Sequence, residues 1–389
     1  MKKAFYMMAA AAIALSSCSS EETTDVAKSS AITFRPTVGL NSRGVEMTTN
    51  DLNEMWVTGF YQKADEVYFS DLKYTKEIGT QTFIPSAPVF WQDGRTYKFV
   101  AISPAKSEWP TGLTITRENV TCENFEPKTD ISAQKDMIIR AVEANNDQWG
   151  KELELNFKHI LSQIQIKVKN GNENLVYNIK AVRINSVVGK KKLTYSTTTN
   201  TSTWGNIDSV TRNAQYTLTY ANPYKLDGKN TTELTLTSAD ANVSNGGGAM
   251  LIPQNVTAWD GAKVDDNNAY NGGTYISIYL NVKMASGNKF MYPAGAQGEL
   301  TYGWVAIPVP AIKWEEGNKY IYTLDMSTGC GKVDPVDPGE NVNPGGKDPN
   351  VPKDPEKGDN VFGKAIKFTV KVLDWTDKFA GTDNGKLEM

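Results

Sequence analysis

Leu153-Glu-Leu-Asn-Phe-Lys-His-Ile-Leu-Ser-Gln-Ile-Gln-Ile-Lys-Val168 alternates apolar and polar residues on both sides of one irregularity. Apolar side chains share one face up to His159, the phase shifts at Ile160-Leu161, and the alternation then continues to Val168. A period of two is typical of a half-buried β-strand, and a phase shift marks a bulge or bend where the strand changes its packing partner. The stretch therefore predicts β-structure that passes from one packing environment to another.

Strand-like runs separated by turn residues recur on both sides of this stretch, for example Tyr97–Ser103 before it and Tyr275–Val282 after it. The chain is rich in Thr, Tyr, Trp, Val, Ile, Asn and Gly and offers few long amphipathic helical stretches. This composition favours an all-β protein with two sandwich domains. We predict an N-terminal β-sandwich over residues 31–150 and a C-terminal β-sandwich over residues 151–330.

The N-terminus has the pattern of a secretion signal. Met1-Lys2-Lys3 precedes a short apolar stretch that ends at Leu15, and Leu15-Ser-Ser-Cys18 resembles a bacterial lipobox. A charged start followed by a short apolar region is typical of a cleaved signal peptide. We expect removal of residues 1–17, lipidation of Cys18 with palmitate, and a disordered polar tether over residues 18–30.

Two segments at opposite ends of the chain share one apolar pattern: Ile32-Thr-Phe-Arg-Pro-Thr-Val38 and Ile366-Lys-Phe-Thr-Val-Lys-Val372. Either segment fits a strand with one buried face. One groove can therefore accept both, which is the requirement for polymerisation by strand addition. The shared apolar positions are Ile32, Phe34, Pro36 and Val38 in the first segment, and Ile366, Phe368, Val370 and Val372 in the second.

The composition changes after Cys330. Residues 331–364 contain six Pro and six Gly among Asp, Lys and Asn, which predicts an extended linker without a core. In polyproline II form it would reach on the order of 100 Å. We predict that it carries residues 365–389, a C-terminal donor strand, as an extended arm.

Several classes of function lack their sequence signatures. The 41 basic and 44 acidic residues are spread along the chain, so no footprint for nucleic acid is present. The one histidine, His159, lies on an apolar strand face and is interpreted as a core residue, and no metal cluster, phosphate-binding loop or nucleophile elbow is found. We predict no enzymatic activity, no cofactor and no metal, and we favour unpaired thiols at Cys122 and Cys330.

A glycan-binding surface lipoprotein is an alternative. Aromatic faces in loops can stack on sugars, although a structural role at sandwich edges and domain contacts is the favoured interpretation of the four tryptophans that adjoin loop-forming residues, Trp109, Trp149, Trp204 and Trp259. This alternative explains neither the two matched end segments nor the long Pro-rich segment.

Seven motifs in order make the chain similar to the fimbrillin family (FimA-like and Mfa-like) of Bacteroides-type pili. They are Ile32-Thr-Phe34 near Ser42-Arg43, Pro88-Val-Phe-Trp91 before Tyr97-Lys-Phe-Val-Ala101, Gln134-Lys-Asp-Met-Ile138, Leu155-Asn-Phe-Lys-His-Ile-Leu-Ser162, Met250-Leu-Ile-Pro-Gln254, Trp314-Glu-Glu-Gly-Asn-Lys-Tyr-Ile-Tyr322 and Phe368-Thr-Val-Lys-Val-Leu-Asp-Trp375.

The resemblance implies two transthyretin-like Greek-key sandwiches, delivery to the cell outer membrane as a lipoprotein, and location in the fimbrium at the cell surface. It also implies that an arginine-specific protease removes the first strand and that another pilin subunit's C-terminal strand fills the groove. Carried onto this sequence, cleavage falls between Arg43 and Gly44 and leaves residues 44–389. The bond after Arg35 is a poor alternative because Pro36 follows it. An uncleaved anchor subunit, a tip subunit, and adhesion to a host or glycan ligand stay open.

Overall fold

The computed structural model describes residues 31–38, 49, 51–62, 66–207, 212–228, 233–242, 247–262, 272–287, 289–374 and 387–388. Apart from three short 3-10 helices (Lys106–Glu108, Ile131–Ala133 and Asn146–Gln148), the regular elements in these ranges are strands. Among the described residues, no helix has the length and apolar character needed to cross a membrane.

The strands are numbered along the chain. The first nine are β1 (Phe34–Val38), β2 (Glu54–Tyr61), β3 (Val67–Lys76), β4 (Phe83–Pro85), β5 (Thr96–Ser103), β6 (Thr114–Ile115), β7 (Asn119–Phe125), β8 (Ile138–Asn145) and β9 (Leu153–His159). The next eight are β10 (Ser162–Lys169), β11 (Leu175–Val187), β12 (Lys191–Ser196), β13 (Thr201–Gly205), β14 (Ala214–Asp227), β15 (Leu234–Thr235), β16 (Ala249–Leu251) and β17 (Gln254–Val256). The last eight are β18 (Tyr275–Met284), β19 (Phe290–Tyr292), β20 (Gly303–Pro308), β21 (Ile312–Trp314), β22 (Asn318–Asp325), β23 (Lys332–Val333), β24 (Lys367–Asp374) and β25 (Leu387–Glu388).

Seven strands form a sheet that closes on itself in the order β1, β4, β3, β2, β5, β8, β9. Strand β1 completes the closure because it pairs with β9 on one side and with β4 on the other. A second sheet, in the order β13, β12, β7, β6, packs on its outer face through Val100, Val120 and Leu193. This part of the chain thus has an inner core and a second, outer layer.

Two six-stranded sheets make up the C-terminal part. One follows the order β15, β10, β22, β24, β25 with β16 beside β10, and the other follows β14, β11, β18, β20, β23 with β19 beside β18. Their inner faces bury one shared core of aliphatic and aromatic side chains, including Ile166, Ile278 and Tyr322. The prediction of an all-β protein is confirmed.

The prediction of a domain boundary at residues 150 and 151 is wrong in this structure. Strand β9 belongs to the closed sheet, whereas β10 belongs to the C-terminal sheet. Only Ile160 and Leu161 lie between the two strands, so the chain passes from one part to the other there. The hairpin of β12 and β13 also returns to pair with β7. The apolar side chains of β9 explain the shift, because Leu155 and Phe157 are needed to fill the core of the closed sheet.

The prediction of an extended, core-less linker over residues 331–364 is also wrong in this structure. Strand β23 pairs with β20, and the side chains of Val333 and Asp334 are fully buried. The Asp354 carboxylate is 1% exposed and accepts hydrogen bonds from the amides of Ala294 (2.8 Å) and Asn343 (3.0 Å). Burial raises the pKa of Asp354. The segment is a folded strap on the C-terminal domain, because its Asp side chains bind backbone amides that Pro and Gly turns bring close.

Candidate functional site

The core of the closed sheet includes a groove that β1 fills. Ile32 and Phe34 are fully buried and Val38 is 1% exposed, whereas Arg35 and Thr37 between them are exposed. The alternation places the predicted first-strand residues Ile32, Phe34 and Val38 in the groove, as a strand with one buried face requires.

The Phe34 side chain occupies an aromatic pocket. Its ring centroid lies 4.9 Å from that of Tyr74 and 5.4 Å from that of Phe99, both edge to face. Burial raises the pKa of Tyr74 well above its ordinary value. Tyr74 is not among the predicted site residues, although its strand β3 contains apolar residues. Nothing in the sequence pairs it with Phe34.

The two edges of β1 are held unequally. On one side, five consecutive residues pair in parallel with β9, from Phe34 beside Leu153 to Val38 beside Phe157. On the other side, the register with β4 contains only Phe34 beside Phe83, supplemented by a hydrogen bond from the Ile32 amide to the Val89 carbonyl (2.8 Å). A strand with one fully paired edge is easier to replace than a strand paired along both edges.

Hydrogen bonds join the end of β1 to Thr49. The amide of Val38 donates to Thr49 Oγ1 (2.8 Å), and that hydroxyl donates back to the Val38 carbonyl (3.1 Å). Residues 39–48, including Arg43 and Gly44, lie outside the described residues, as does Cys18. A cut anywhere in residues 39–48 would separate β1 covalently from the rest of the domain.

The second end segment forms β24, which lies in the sheet of its own C-terminal domain rather than in an extended arm. It pairs antiparallel with β22 over eight residues, from Lys367 beside Asp325 to Asp374 beside Asn318. Val370 is 1% exposed, and the predicted donor residues Ile366, Phe368 and Val372 are partly buried against the same core. The structure does not bring the two end segments together.

The connection into β24 is fixed by glycine. Gly363 has φ +68° and forms a backbone bridge with Gly329, and the Lys364 amide donates to the Thr328 carbonyl (2.9 Å). A Cβ at Gly363 would lie 2.0 Å from the Thr328 oxygen. Only glycine fits both the positive φ and this close approach. Gly363 could not be identified from the sequence, because it is one of six Gly in residues 331–364 and no neighbouring residue marks it out from the others.

An ion pair fastens the strap upstream of Gly363. Asp334 Oδ2 accepts from Arg183 Nη2 (3.1 Å) and Ser277 Oγ (2.6 Å), and its other oxygen accepts from the amides of Val336 and Asp337 (both 2.9 Å). The Arg183 guanidinium also lies 4.1 Å from the ring centroid of Trp304. The strap is therefore held by a buried charge pair as well as by turns.

Other predicted features have structural roles. His159 Nδ1 lies 2.6 Å from Asp136 Oδ2 in a buried pair. Cys122 and Cys330 are free, buried thiols in separate cores, in agreement with the unpaired interpretation. In the described part of the chain, no group of three or more His, Cys, Asp or Glu side chains could hold a metal ion.

Of the four tryptophans that the sequence places beside loop-forming residues, Trp204 lies on β13 rather than in a loop, and the four differ in exposure. Trp259 is 2% exposed and Trp204 packs edge to face on Phe125. Trp149 packs, partly buried, against the core of the closed sheet. Trp109 lines a cavity of about 240 Å³, and its indole N–H donates to the Pro104 carbonyl (2.9 Å). Trp109 thus presents its side chain to a cavity.

Comparison with known proteins places the chain in a family. No curated protein matches it. A fimbrial protein from Bacteroides vulgatus is 15% identical, with a TM-score of 0.47 over 75% of this chain and 94% of that chain. A candidate cell adhesion protein from Bacteroides uniformis is 13% identical, with a TM-score of 0.44 over 89% of this chain and 99% of that chain. The sequence model described as fimbrillin-like matches residues 41–341. The chain belongs to the fimbrillin-like family.

Proposed function

We propose that this protein is a structural subunit of a cell-surface pilus, exported as a lipoprotein, matured by cleavage after Arg43 and polymerised by strand exchange with other pilin subunits. Family membership supports the pilus role. The observation that carries the exchange is the position of β1, a short strand whose buried face fills the core while one of its edges is barely paired.

Maturation would begin at the membrane. Lipidated Cys18 would hold the precursor in the outer membrane, and an arginine-specific protease would then cut between Arg43 and Gly44. The hydrogen bonds between Val38 and Thr49 support this site, because they hold together the two ends of the segment that contains Arg43. Arg35 lies within β1 and is followed by buried Pro36, so that bond is protected by both the strand and the proline.

Loss of β1 would supply the driving force for assembly. Ile32, Phe34 and Val38 each contribute about 1.5–3 kcal/mol by burial, and the amides and carbonyls of β9 lose their partners when β1 leaves. An incoming strand with the same apolar pattern restores both contributions. Ile366, Phe368, Val370 and Val372 provide that pattern once β24 has left β22.

Protease treatment tests this proposal. The purified chain is incubated with an arginine-specific protease, the new N-terminus is sequenced, and multimers are sought on SDS gels of unheated samples. We expect a new N-terminus at Gly44 and a ladder of multimers, and we expect neither with Arg43→Ala. Arg35→Ala is the matched control and should be cut like the parent chain. An intact chain that forms no multimers would favour an uncleaved anchor subunit.

A glycan ligand is a second candidate function, and the cavity beside Trp109 favours it. Glu108 and Lys128 line the same cavity and are joined by an ion pair of 3.1 Å, so an aromatic face and polar groups lie together. A glycan array tests binding by the uncleaved monomer. Binding that is abolished by Trp109→Ala but kept with Trp204→Ala would support an adhesive role for this cavity.

A further inference from the structure

We infer that the C-terminal strand of a second copy enters the groove in the same direction as β1, parallel to β9. Its residues Ile366, Phe368, Val370 and Val372 then take the positions of Ile32, Phe34, Pro36 and Val38. This inference rests on the proposed strand exchange and adds its direction and register, and two independent observations carry it.

The first observation is the size of the pockets along the groove. The fully buried Phe34 ring fills the space between Tyr74 and Phe99. Insertion in the same direction places Phe368 in that pocket. The reverse direction places Val370 there, which leaves a cavity, and forces Phe368 into the space of Pro36. Side-chain volume therefore distinguishes the two directions, although the alternation of apolar residues does not.

The second observation concerns where the acceptor groove begins. Phe34, the first residue of β1, lies beside Leu153, and β9 runs from there to His159. Strand β10 of the C-terminal sheet starts at Ser162, directly after β9. The beginning of β1 thus lies at the end of the closed sheet that points away from the C-terminal domain.

The donor strand begins at the opposite end of the subunit. Lys169, the last residue of β10, lies beside Asp325 of β22, and Asp325 lies beside Lys367 of β24. The start of β24 is therefore at the end of the C-terminal sheet that points away from the closed sheet. The hydrogen bond from Lys364 to Thr328 fixes the chain at the same end.

The short connection then selects the direction. Only Ala365 separates the fixed Lys364 from Ile366, which allows a span of about 7 Å at roughly 3.5 Å per residue. Asp334 holds the strap in place, so a released β24 would extend from the end of the C-terminal sheet where Lys364 is fixed. Ile366 would then be the first residue of β24 to enter a neighbouring copy's groove, at the beginning of that groove. The reverse direction would require Ile366 to reach the Val38 position, about 20 Å deeper in the groove.

The resulting contact is head to tail. The C-terminal end of one copy meets the N-terminal end of the next, so the two surfaces differ and the contact repeats along a filament. Because the connection is short, the C-terminal end of one copy must contact the N-terminal end of the next. A long flexible linker would not impose this contact.

Disulfide trapping distinguishes the two directions. The acceptor is the full-length chain with Cys18→Ser and Asn156→Cys, treated with an arginine-specific protease. Thr37 in β1 lies beside Asn156, so position 37 of the groove would hold Lys371 in the inferred direction and Lys367 in the reverse direction. The donors carry Cys18→Ser, Arg43→Ala and either Lys371→Cys or Lys367→Cys, and the Arg43→Ala substitution prevents their own cleavage.

A third pair reports insertion without regard to direction. Thr369 would occupy position 35 in either direction, and Arg35 lies beside Glu154, so Thr369→Cys should crosslink to an acceptor with Glu154→Cys. We expect a reducible dimer for this pair and for Lys371→Cys with Asn156→Cys. We expect no dimer for Lys367→Cys with Asn156→Cys. In the inferred direction the Cβ at position 367 would lie about 13 Å from the Cβ at position 156, beyond the reach of a disulfide.

Each outcome has one meaning. A dimer with Lys367→Cys, alone or in equal yield, overturns the inferred direction and leaves strand exchange intact. Absence of the Thr369→Cys dimer shows that β24 does not enter the groove and overturns the proposed exchange as well. Each protein oxidised alone controls for dimers between identical cysteines.

Discussion

The Phe34 ring packs edge to face against the Tyr74 ring, with a centroid distance of 4.9 Å and an interplanar angle of 74°. Tyr74 lies on β3 and Phe34 on β1, so this contact spans the inside of the closed sheet. It ties β1 to a wall of the groove that β3 supplies.

The first prediction concerns stability. Phe34→Ala should lower the free energy of unfolding of the uncleaved chain by about 3–5 kcal/mol, because it removes a fully buried ring from a pocket of large aromatic side chains. Arg35→Ala on the exposed face of β1 should change it by less than about 0.5 kcal/mol. Urea unfolding followed by tryptophan fluorescence measures both. Equal effects would show that β1 is not part of the cooperative core.

The second prediction concerns donation. Phe368 is only partly buried in its own domain, whereas the Phe34 pocket that it would enter is fully closed. Phe368→Ala should therefore reduce the yield of protease-induced multimers much more than it lowers the melting temperature of the monomer. Lys371→Ala, on an exposed position of the same strand, is the control and should assemble normally. Normal assembly of Phe368→Ala would argue against β24 as the donor.

The third prediction concerns the glycine before β24. Gly363→Ala and Gly79→Ala both place a side chain at positive φ, +68° and +81° respectively, but only the Cβ at position 363 meets a backbone oxygen. Gly79→Ala should lower the free energy of unfolding by about 1 kcal/mol, and Gly363→Ala should lower it clearly more. Hydrogen exchange should also show faster exchange in β24 for Gly363→Ala. If both substitutions destabilised the protein equally, the backbone at Thr328 would shift readily enough to accommodate a Cβ at position 363.

The fourth prediction concerns the strap. Asp334→Asn leaves the Arg183 guanidinium buried without its main counter-charge, which should cost about 3–5 kcal/mol of stability. Asp337→Asn removes the more exposed partner of the same guanidinium, at 3.4 Å, and should cost less than about 1 kcal/mol. Proteolysis by a non-arginine protease should then cut residues 331–364 only in Asp334→Asn. Full protection in that variant would contradict the role of the ion pair.

The fifth prediction concerns the two buried thiols. Burial raises the pKa values of Cys122 and Cys330, so both stay protonated and shielded in the folded protein. A maleimide should label neither at neutral pH in buffer and both in denaturant, as mass spectrometry would show. Labelling of Cys330 in buffer would indicate that the strap opens readily.

Parts of this architecture could be predicted from local patterns. The alternation in residues 153–168 indicated β-structure with a change of packing partner, because side-chain direction in a strand has a period of two, and the structure has two strands there, β9 and β10. The same rule identified the buried positions Ile32, Phe34 and Val38. The boundary at residue 150 failed because β9 and the hairpin of β12 and β13 join the first domain through long-range pairing, which no local pattern encodes.

The strap shows a different limit. Its Pro and Gly content is that of a flexible linker, yet Asp334 and Asp354 are buried and hydrogen-bonded. Composition describes the tendency to form turns, whereas burial depends on partners such as Arg183 and Ala294 that are distant in the sequence.

Local sequence is sufficient for the all-β character, the apolar faces of the two end segments and the similarity between them, because these depend on side-chain type and a period of two. Folding of the whole chain was needed to place β24 on the sheet of its own domain, to bring Gly363 against Thr328, and to put the starts of β1 and β24 at opposite ends of the subunit. Those properties follow from strand pairing between residues far apart in the chain, which sets direction and register through backbone hydrogen bonds rather than through local pattern.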